Sequence, residues 1–269
     1  MKKYIYQAFS ALALMTMVAV LPACQQKQIS VFMVGDSTMA DRPDTTITAE
    51  RGWGQVFPTY LSDNITVRNH AKNGRSTKSF LAEERWEDVK KDLQKGDVVI
   101  IQFGHNDTKQ DDSVRYTPVG DYEKNLCRMI EEAKAMGAQP VLCTPIARRA
   151  FSKETGELVN KHGDYPDAAR RAAQTTDVPL VDMTAITMDW LRAVGDEPSV
   201  KYFAHMEPGK YSKYPDGKID NTHLSLLGAR EVAYLFANAV KQQKIKPLYL
   251  YIQLEKDAST QYSVPCNIK

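Results

Sequence analysis

The run Asp97-Val98-Val99-Ile100-Ile101-Gln102-Phe103 constrains the fold of this chain more than any other segment. Its near-continuous β-branched residues leave no polar face, so the strand needs apolar cover on both sides. Such a strand belongs inside a parallel sheet, and parallel neighbours require crossover connections, usually helices. The rest of the chain supplies both parts. Ile29–Met33 reads as a first buried strand, Ile65–Asn69 as a second by its alternation, Pro140–Pro145 as a fourth and Pro179–Met183 as a fifth. Helical periodicity predicts a short helix at Val56–Leu61 and another carrying Trp86, Val89 and Leu93. Further helices are predicted over Asp121–Met136, Pro166–Thr176, Ala185–Val194 and Ser225–Lys241. Strands alternating with helices in this way predict an α/β fold with helices on both faces of a parallel sheet. Arg148–Tyr165 and Gly195–Asn221 read as loops, the second of a length that is often functional. Leu248–Ile252 has the composition of an added strand, with no neighbour assigned to it.

The chain has 35 Lys and Arg against 33 Asp and Glu in 269 residues. Residues 1–23 hold Lys2 and Lys3 and no acid, so without them the balance is even. A near-neutral chain has no electrostatic footprint for nucleic acid, and none is expected as a partner. Lys2-Lys3 followed by the apolar stretch Ala8–Leu21 reads as an export leader, too short for a comfortable membrane-spanning helix. Leu21-Pro22-Ala23-Cys24 resembles the bacterial lipobox. That resemblance implies a leader over residues 1–24, lipid on Cys24, and an exported protein that touches the membrane only through its N-terminal anchor. Ordinary cleavage near Ala23 is the alternative. Residues 25–269 are expected to form one domain. With Cys24 lipidated, Cys127, Cys143 and Cys266 allow at most one bridge within the chain, and Cys127 and Cys143 are expected as free thiols. No Cys/His cluster has metal-ligand spacing, so neither a structural metal nor a cofactor is expected.

Chemistry-bearing residues fall where strands end. Ser37 follows the first strand, Gly74 the second and Asn106 the third, while Asp220-Asn221-Thr222-His223 precedes the last helix. In open α/β sheets ligands collect at the carboxyl edge of the strands. A serine hydroxyl needs a base to act as a nucleophile, and an imidazole base needs an acceptor that sets its tautomer. Asp220 and His223, three residues apart in a turn, can turn toward one site. The backbone N–H groups of Ser37 and Gly74 and the side-chain amide of Asn106 would supply three donors for an oxyanion. Taken singly, each of these residues is as readily a turn or capping residue.

Together, Gly35-Asp36-Ser37, Gly74, Gly104-His105-Asn106-Asp107 and Asp220-Asn221-Thr222-His223 resemble the SGNH (GDSL) hydrolase family, in that family's order. Asp36-Ser37-Thr38-Met39-Ala40, Asn73-Gly74-Arg75-Ser76-Thr77 and Tyr214-Pro215-Asp216-Gly217 resemble its rhamnogalacturonan acetylesterases. The resemblance implies a three-layer, flavodoxin-like fold with a five-stranded sheet. It also implies a metal-free serine esterase using Ser37, His223 and Asp220, with acetylated pectin fragments as substrate. Xylan or other glycan acetyl esters, lipids or thioesters would suit the same residues, and a glycan-binding lipoprotein with a vestigial site is the reading from another class. Arg75 is the expected contact for an acidic galacturonate, His105 either enters the site or packs beneath it, and Trp53 is either a wall for a sugar ring or a core residue. Asp107 is assigned to holding its loop, and His70, His162 and His205 to loop or surface positions. The chain has no Gly-x-Ser-x-Gly elbow and no Gly-rich phosphate loop.

Overall fold

Every residue of the central strand β3 (Val98–Gln102) is buried, as its unbroken apolar run demands. The computed structural model describes residues 29–42 and 46–254. Within them, β1 (Ser30–Gly35), β2 (Thr66–Asn69), β3, β4 (Gln139–Cys143) and β5 (Leu180–Val181) form one parallel sheet in the order β2-β1-β3-β4-β5. This is the flavodoxin-like order. The chain reverses its direction of travel between β1 and β3, so the loops leaving those two strands diverge and open a crevice.

Alternation along the strands splits the core in two. Val31, Met33, Val98, Ile100, Val141 and Cys143 face one apolar cluster; Phe32, Val34, Val99, Ile101 and Leu142 face the other. The first cluster is completed by α1 (Trp53–Val56), α6 (Met183–Val194) and α8 (Leu226–Gln242). The second is completed by α2 (Thr77–Ala82), α3 (Arg85–Asp92), α4 (Val119–Ala135) and α5 (Tyr165–Thr176). A short α7 (Asp196–Ser199) follows α6. Three layers result, with both faces of the sheet covered.

Several expectations change in detail. Val56–Leu61 is the end of α1 continued by a 3-10 turn over Phe57–Tyr60. The turn after Gly74 runs directly into α2, capped by Ser76, whose hydroxyl accepts from Ser79 N–H. Alternating polar residues conceal this helix from a periodicity reading. β5 keeps only two residues, and α6 starts at once because Asp182 caps it. Leu248–Ile252 is not a strand: Leu248–Tyr251 forms a 3-10 turn, and Ile252 makes an isolated bridge to Leu61. The loop between Gly195 and Asn221 contains α7 and another 3-10 turn before its irregular part. Cys127 and Cys143 are free thiols. The expected leader, Cys24 and Cys266 lie outside the described residues. No helix among the described residues is long and apolar enough to cross a membrane.

Two local devices aim the strand ends. Gly52 and Gly54 let α1 approach the turn after β1: a Cβ on Gly52 would come within 2.1 Å of Ala40 O, and one on Gly54 within 2.5 Å of Met39 O. That approach lets Trp53 N–H donate to Thr38 O. Asp107 ties the loops after β2 and β3, because its Oδ1 accepts from both Thr77 N–H (2.9 Å) and Thr77 Oγ1 (2.6 Å). The other oxygen is buried with no hydrogen-bond partner among the described residues, and burial pushes the Asp107 carboxyl up to about 7. A carboxyl raised in this way binds its proton more tightly in the folded chain than in the unfolded one. Its contribution to stability is therefore present at low pH and lost as pH rises from about 4, the unfolded value, through about 7. Thermal unfolding followed between those pH values should show this loss, and Asp107→Asn, which mimics the protonated carboxyl, should flatten the difference.

Candidate active site

The turn that leaves β1 places Ser37 on the floor of a cleft of about 350 Å³. Asp36, fully buried, shapes this turn by accepting from Thr38 N–H (2.9 Å) and Thr38 Oγ1 (2.8 Å). Burial alone would raise its pKa. The neighbouring His105 ring and the Thr38 bonds outweigh burial and hold it at about 2. Before α8, Asp220 Oδ1 accepts from Thr222 N–H and His223 N–H, both at 2.9 Å, which folds the Asp-Asn-Thr-His turn back on itself. Asp220 Oδ2 then lies 2.7 Å from His223 Nδ1, and His223 Nε2 lies 2.9 Å from Ser37 Oγ. Burial works against the Asp220 charge, but His223 and Lys218 hold its carboxyl well below the usual range. An ionised Asp220 can only accept, so Nδ1 carries the proton and Nε2 is left to accept from Ser37. The arrangement can withdraw a proton from the serine hydroxyl.

Gly74 and Asn106 line the same cleft as Ser37. Gly74 has φ +76°, and a Cβ there would touch nothing nearer than Arg115 Nη1 at 3.9 Å. Backbone conformation, more than space, thus calls for glycine. Among the described residues, neither Ser37 N–H nor Gly74 N–H has an acceptor within the protein. Asn106 Nδ2 donates one hydrogen to Arg75 O at 3.0 Å, which fixes the amide and leaves its second hydrogen available.

Other expectations fare differently. Trp53 is fully buried, packs on Phe57 and Phe236, and donates its indole N–H to Gln102 Oε1, so it is a core residue and no sugar wall. Arg75 does not line the cleft: its side chain is held by Glu83. His105 does both things foreseen for it. It lines the cleft yet is 2 % exposed, with Nδ1 3.3 Å from Asp36 Oδ2 and its ring edge-on to His162. His162 is buried, bonded to Ile146 O, while His205 bonds Asn221 Oδ1 and His70 stacks on Phe32. All three lie outside helices and strands, as expected, but His162 is buried rather than at the surface.

The residues that sequence reasoning missed are the charged ones around the triad-like chain. Glu50 is 1 % exposed and accepts from Tyr214 OH (2.8 Å), Lys213 Nζ (3.2 Å) and Lys218 Nζ (3.2 Å), with Arg42 Nη2 at 3.5 Å. Lys218 Nζ also reaches Asp220 Oδ2 at 2.5 Å, and Arg42 Nη2 donates to Ser37 O at 3.2 Å. One buried carboxylate therefore joins the turn of Ser37 to the turn of Asp220. Burial opposes its charge, but His223, the Tyr214 hydroxyl, Arg42 and Lys213 bring it to about 2. Glu50, Asp220 and His223 place potential metal ligands within 4.8 Å of one another. Lys218 already bridges the two carboxylates and the Nδ1 proton faces Asp220, so this donor set does not suit a resident cation. Only Tyr214, as part of Tyr-Pro-Asp-Gly, gave any sequence signal.

The model of the GDSL-like lipase/acylhydrolase family matches residues 33–230, and the chain belongs to that family of ester hydrolases. Rhamnogalacturonan acetylesterase RhgT of Bacillus subtilis (strain 168) is 40% identical over 217 residues, 81% of this chain and 91% of RhgT. YesY of the same bacterium is 33% identical over 79% of this chain and 92% of its own length. Among solved structures, YxiM of Bacillus subtilis superposes with a TM-score of 0.68 at 25% identity, covering 81% of this chain and 58% of that one.

Removing Glu50 should expose what it holds together. Glu50→Ala leaves Arg42 buried without its counter-charge, and breaking a buried pair in this way costs about 3–5 kcal/mol. Urea unfolding should read that loss, with a smaller one for Glu50→Gln, which keeps an acceptor for Tyr214.

Proposed function

We propose that this member of the GDSL-like lipase/acylhydrolase family is a serine esterase that removes O-acetyl groups from rhamnogalacturonan or related pectin fragments. The observation that carries the chemistry is the unbroken chain from Ser37 Oγ through His223 to Asp220, with links of 2.9 and 2.7 Å. His223 takes the hydroxyl proton as Ser37 Oγ attacks the ester carbonyl, and Asp220 stabilises the resulting imidazolium. Negative charge on the carbonyl oxygen meets Ser37 N–H, Gly74 N–H and Asn106 Nδ2–H. The imidazolium returns its proton to the departing sugar oxygen, leaving an acetyl group on Ser37. His223 then deprotonates water, which attacks the acetyl-serine; the tetrahedral intermediate collapses, Ser37 regains its proton and acetate leaves. The choice of substrate is supported by the activity for which RhgT is named, the relative 40% identical over 81% of this chain.

Export with a lipid on Cys24 belongs to the same proposal, supported by Lys2-Lys3, the apolar stretch and Leu-Pro-Ala-Cys. Cells fed a radiolabelled fatty acid should label the wild type and not Cys24→Ala.

Ser37→Ala should abolish hydrolysis of 4-nitrophenyl acetate and labelling by a fluorophosphonate, with the thermal midpoint retained. Asn106→Ala should lower kcat by about 10²–10³, the loss typical of one oxyanion donor. A change of a few-fold would put Asn106 outside that role. Acetate release measured across acetylated rhamnogalacturonan, xylan and simple esters tests the substrate, and a preference for xylan would overturn the pectin reading.

A further inference from the structure

Six cationic side chains stand in or against the cleft, and what compensates them divides them in two. Arg42, Lys213 and Lys218 are held by Glu50, and Lys218 by Asp220 as well. Lys109, Arg115 and Arg148 line the cleft on different terms. Lys109 makes no ion pair or side-chain hydrogen bond among the described residues, and its backbone N–H anchors it to Asn106 O. Arg148 has no carboxylate partner among them either: its Nη2 donates to His105 O at 3.0 Å, and its Nε is buried without a partner. Arg115 gives only Nε to Asp112, at 2.6 Å, which leaves its terminal nitrogens beside Gly74.

This leaves Lys109 and Arg148 without a counter-ion and Arg115 with only one nitrogen paired, an unfavourable arrangement for charges that line one cleft. Burial and the positive neighbours Arg115 and Arg148 both push the Lys109 ammonium below its usual pKa. The whole chain carries a formal net charge of only +2, so the cluster is no by-product of a basic surface. None of the three charges closes a loop onto a buried acid as Arg42 and Lys218 do; among the described residues, Arg148 bonds only the His105 carbonyl and, at 3.5 Å, the Thr108 hydroxyl. An anion arriving with the substrate would relieve the repulsion, and two guanidinium groups suit the planar fork of a carboxylate. A neutral glycan would leave Lys109 and Arg148 uncompensated.

We propose that Lys109, Arg115 and Arg148 form a carboxylate subsite beside Gly74 and Asn106, which receives the uronate group of an acidic oligosaccharide while its acetyl ester faces Ser37. The subsite rests on the reading of the cleft as a pectin O-acetylesterase site. It moves recognition of the acid from Arg75, which Glu83 occupies, to three side chains contributed by the loops after β3 and β4.

The test separates the subsite from the substrate reading. Trigalacturonate and its carboxyl-reduced, neutral counterpart are compared as inhibitors of 4-nitrophenyl acetate hydrolysis by the full chain. Free-acid and methyl-esterified acetylated pectin fragments are compared as substrates. The free acid should inhibit at least about tenfold more strongly than its neutral counterpart, the scale of one charge-assisted contact. Lys109→Met and Arg115→Met should each shrink that ratio several-fold, and Lys109→Arg should retain it. Should a Met variant fail to fold, the wild-type ratio must still collapse from low to high salt. Equal inhibition by acid and neutral forms, or a ratio that survives both Met variants, overturns the subsite. Acid-selective inhibition without acetate release from any pectin fragment upholds the subsite and removes the substrate reading. Acetate release at equal rates from free-acid and methyl-esterified fragments upholds the substrate reading and overturns the subsite.

Discussion

The central strands of the sheet have no polar face, and this constraint organises everything else. Val98 to Ile101 alternate between two separate apolar clusters, so helices must cover both sides and polar chemistry is excluded from both. The carboxyl ends of the strands are what remain. The order β2-β1-β3-β4-β5 then decides which ends matter, since the loops after β1 and β3 part at the switch point. Ser37 leaves one of these strands and Asn106 the other.

At that edge, loops of little regular structure must hold a geometry good to a fraction of an ångström. They manage it through buried acids, each used differently. Asp36 shapes the Ser37 turn through Thr38, Asp107 joins two strand-end loops through Thr77, and Asp220 folds its own turn while orienting His223. Glu50 connects the whole by drawing in Arg42, Lys213, Lys218 and Tyr214. A buried carboxylate is unfavourable alone and tolerable when paired and hydrogen-bonded, so each of these acids makes its surrounding loops interdependent. Lys218, shared between Glu50 and Asp220, carries that dependence into the serine, histidine and aspartate chain itself.

The helices and strands that were legible from residues are those with strong periods. α4 keeps Tyr122, Leu126, Met129, Ile130 and Ala133 on its buried face as its spacing foretold. α2 was missed because Thr77-Lys78-Ser79 looks like loop and becomes helix through the Ser76 cap. Leu248–Tyr251 looks like strand and forms a 3-10 turn, packed against the first apolar cluster and outside the sheet. Arg75 sat beside a glycine of interest in sequence, yet Glu83, one helix later, claims it.

The sequence by itself determined the doubly covered parallel sheet and the convergence of Ser37, Gly74, Asn106, Asp220 and His223 on one edge. Hydrophobic period and turn chemistry are local properties, written in neighbouring residues. Only the tertiary structure decided which charges are compensated and which face the cleft. Glu50 meets a lysine 168 positions away and Arg148 lies 43 positions from the carbonyl it contacts. Ion pairing depends on distance in space and on exclusion of water, and neither is a property of a residue and its neighbours in the chain.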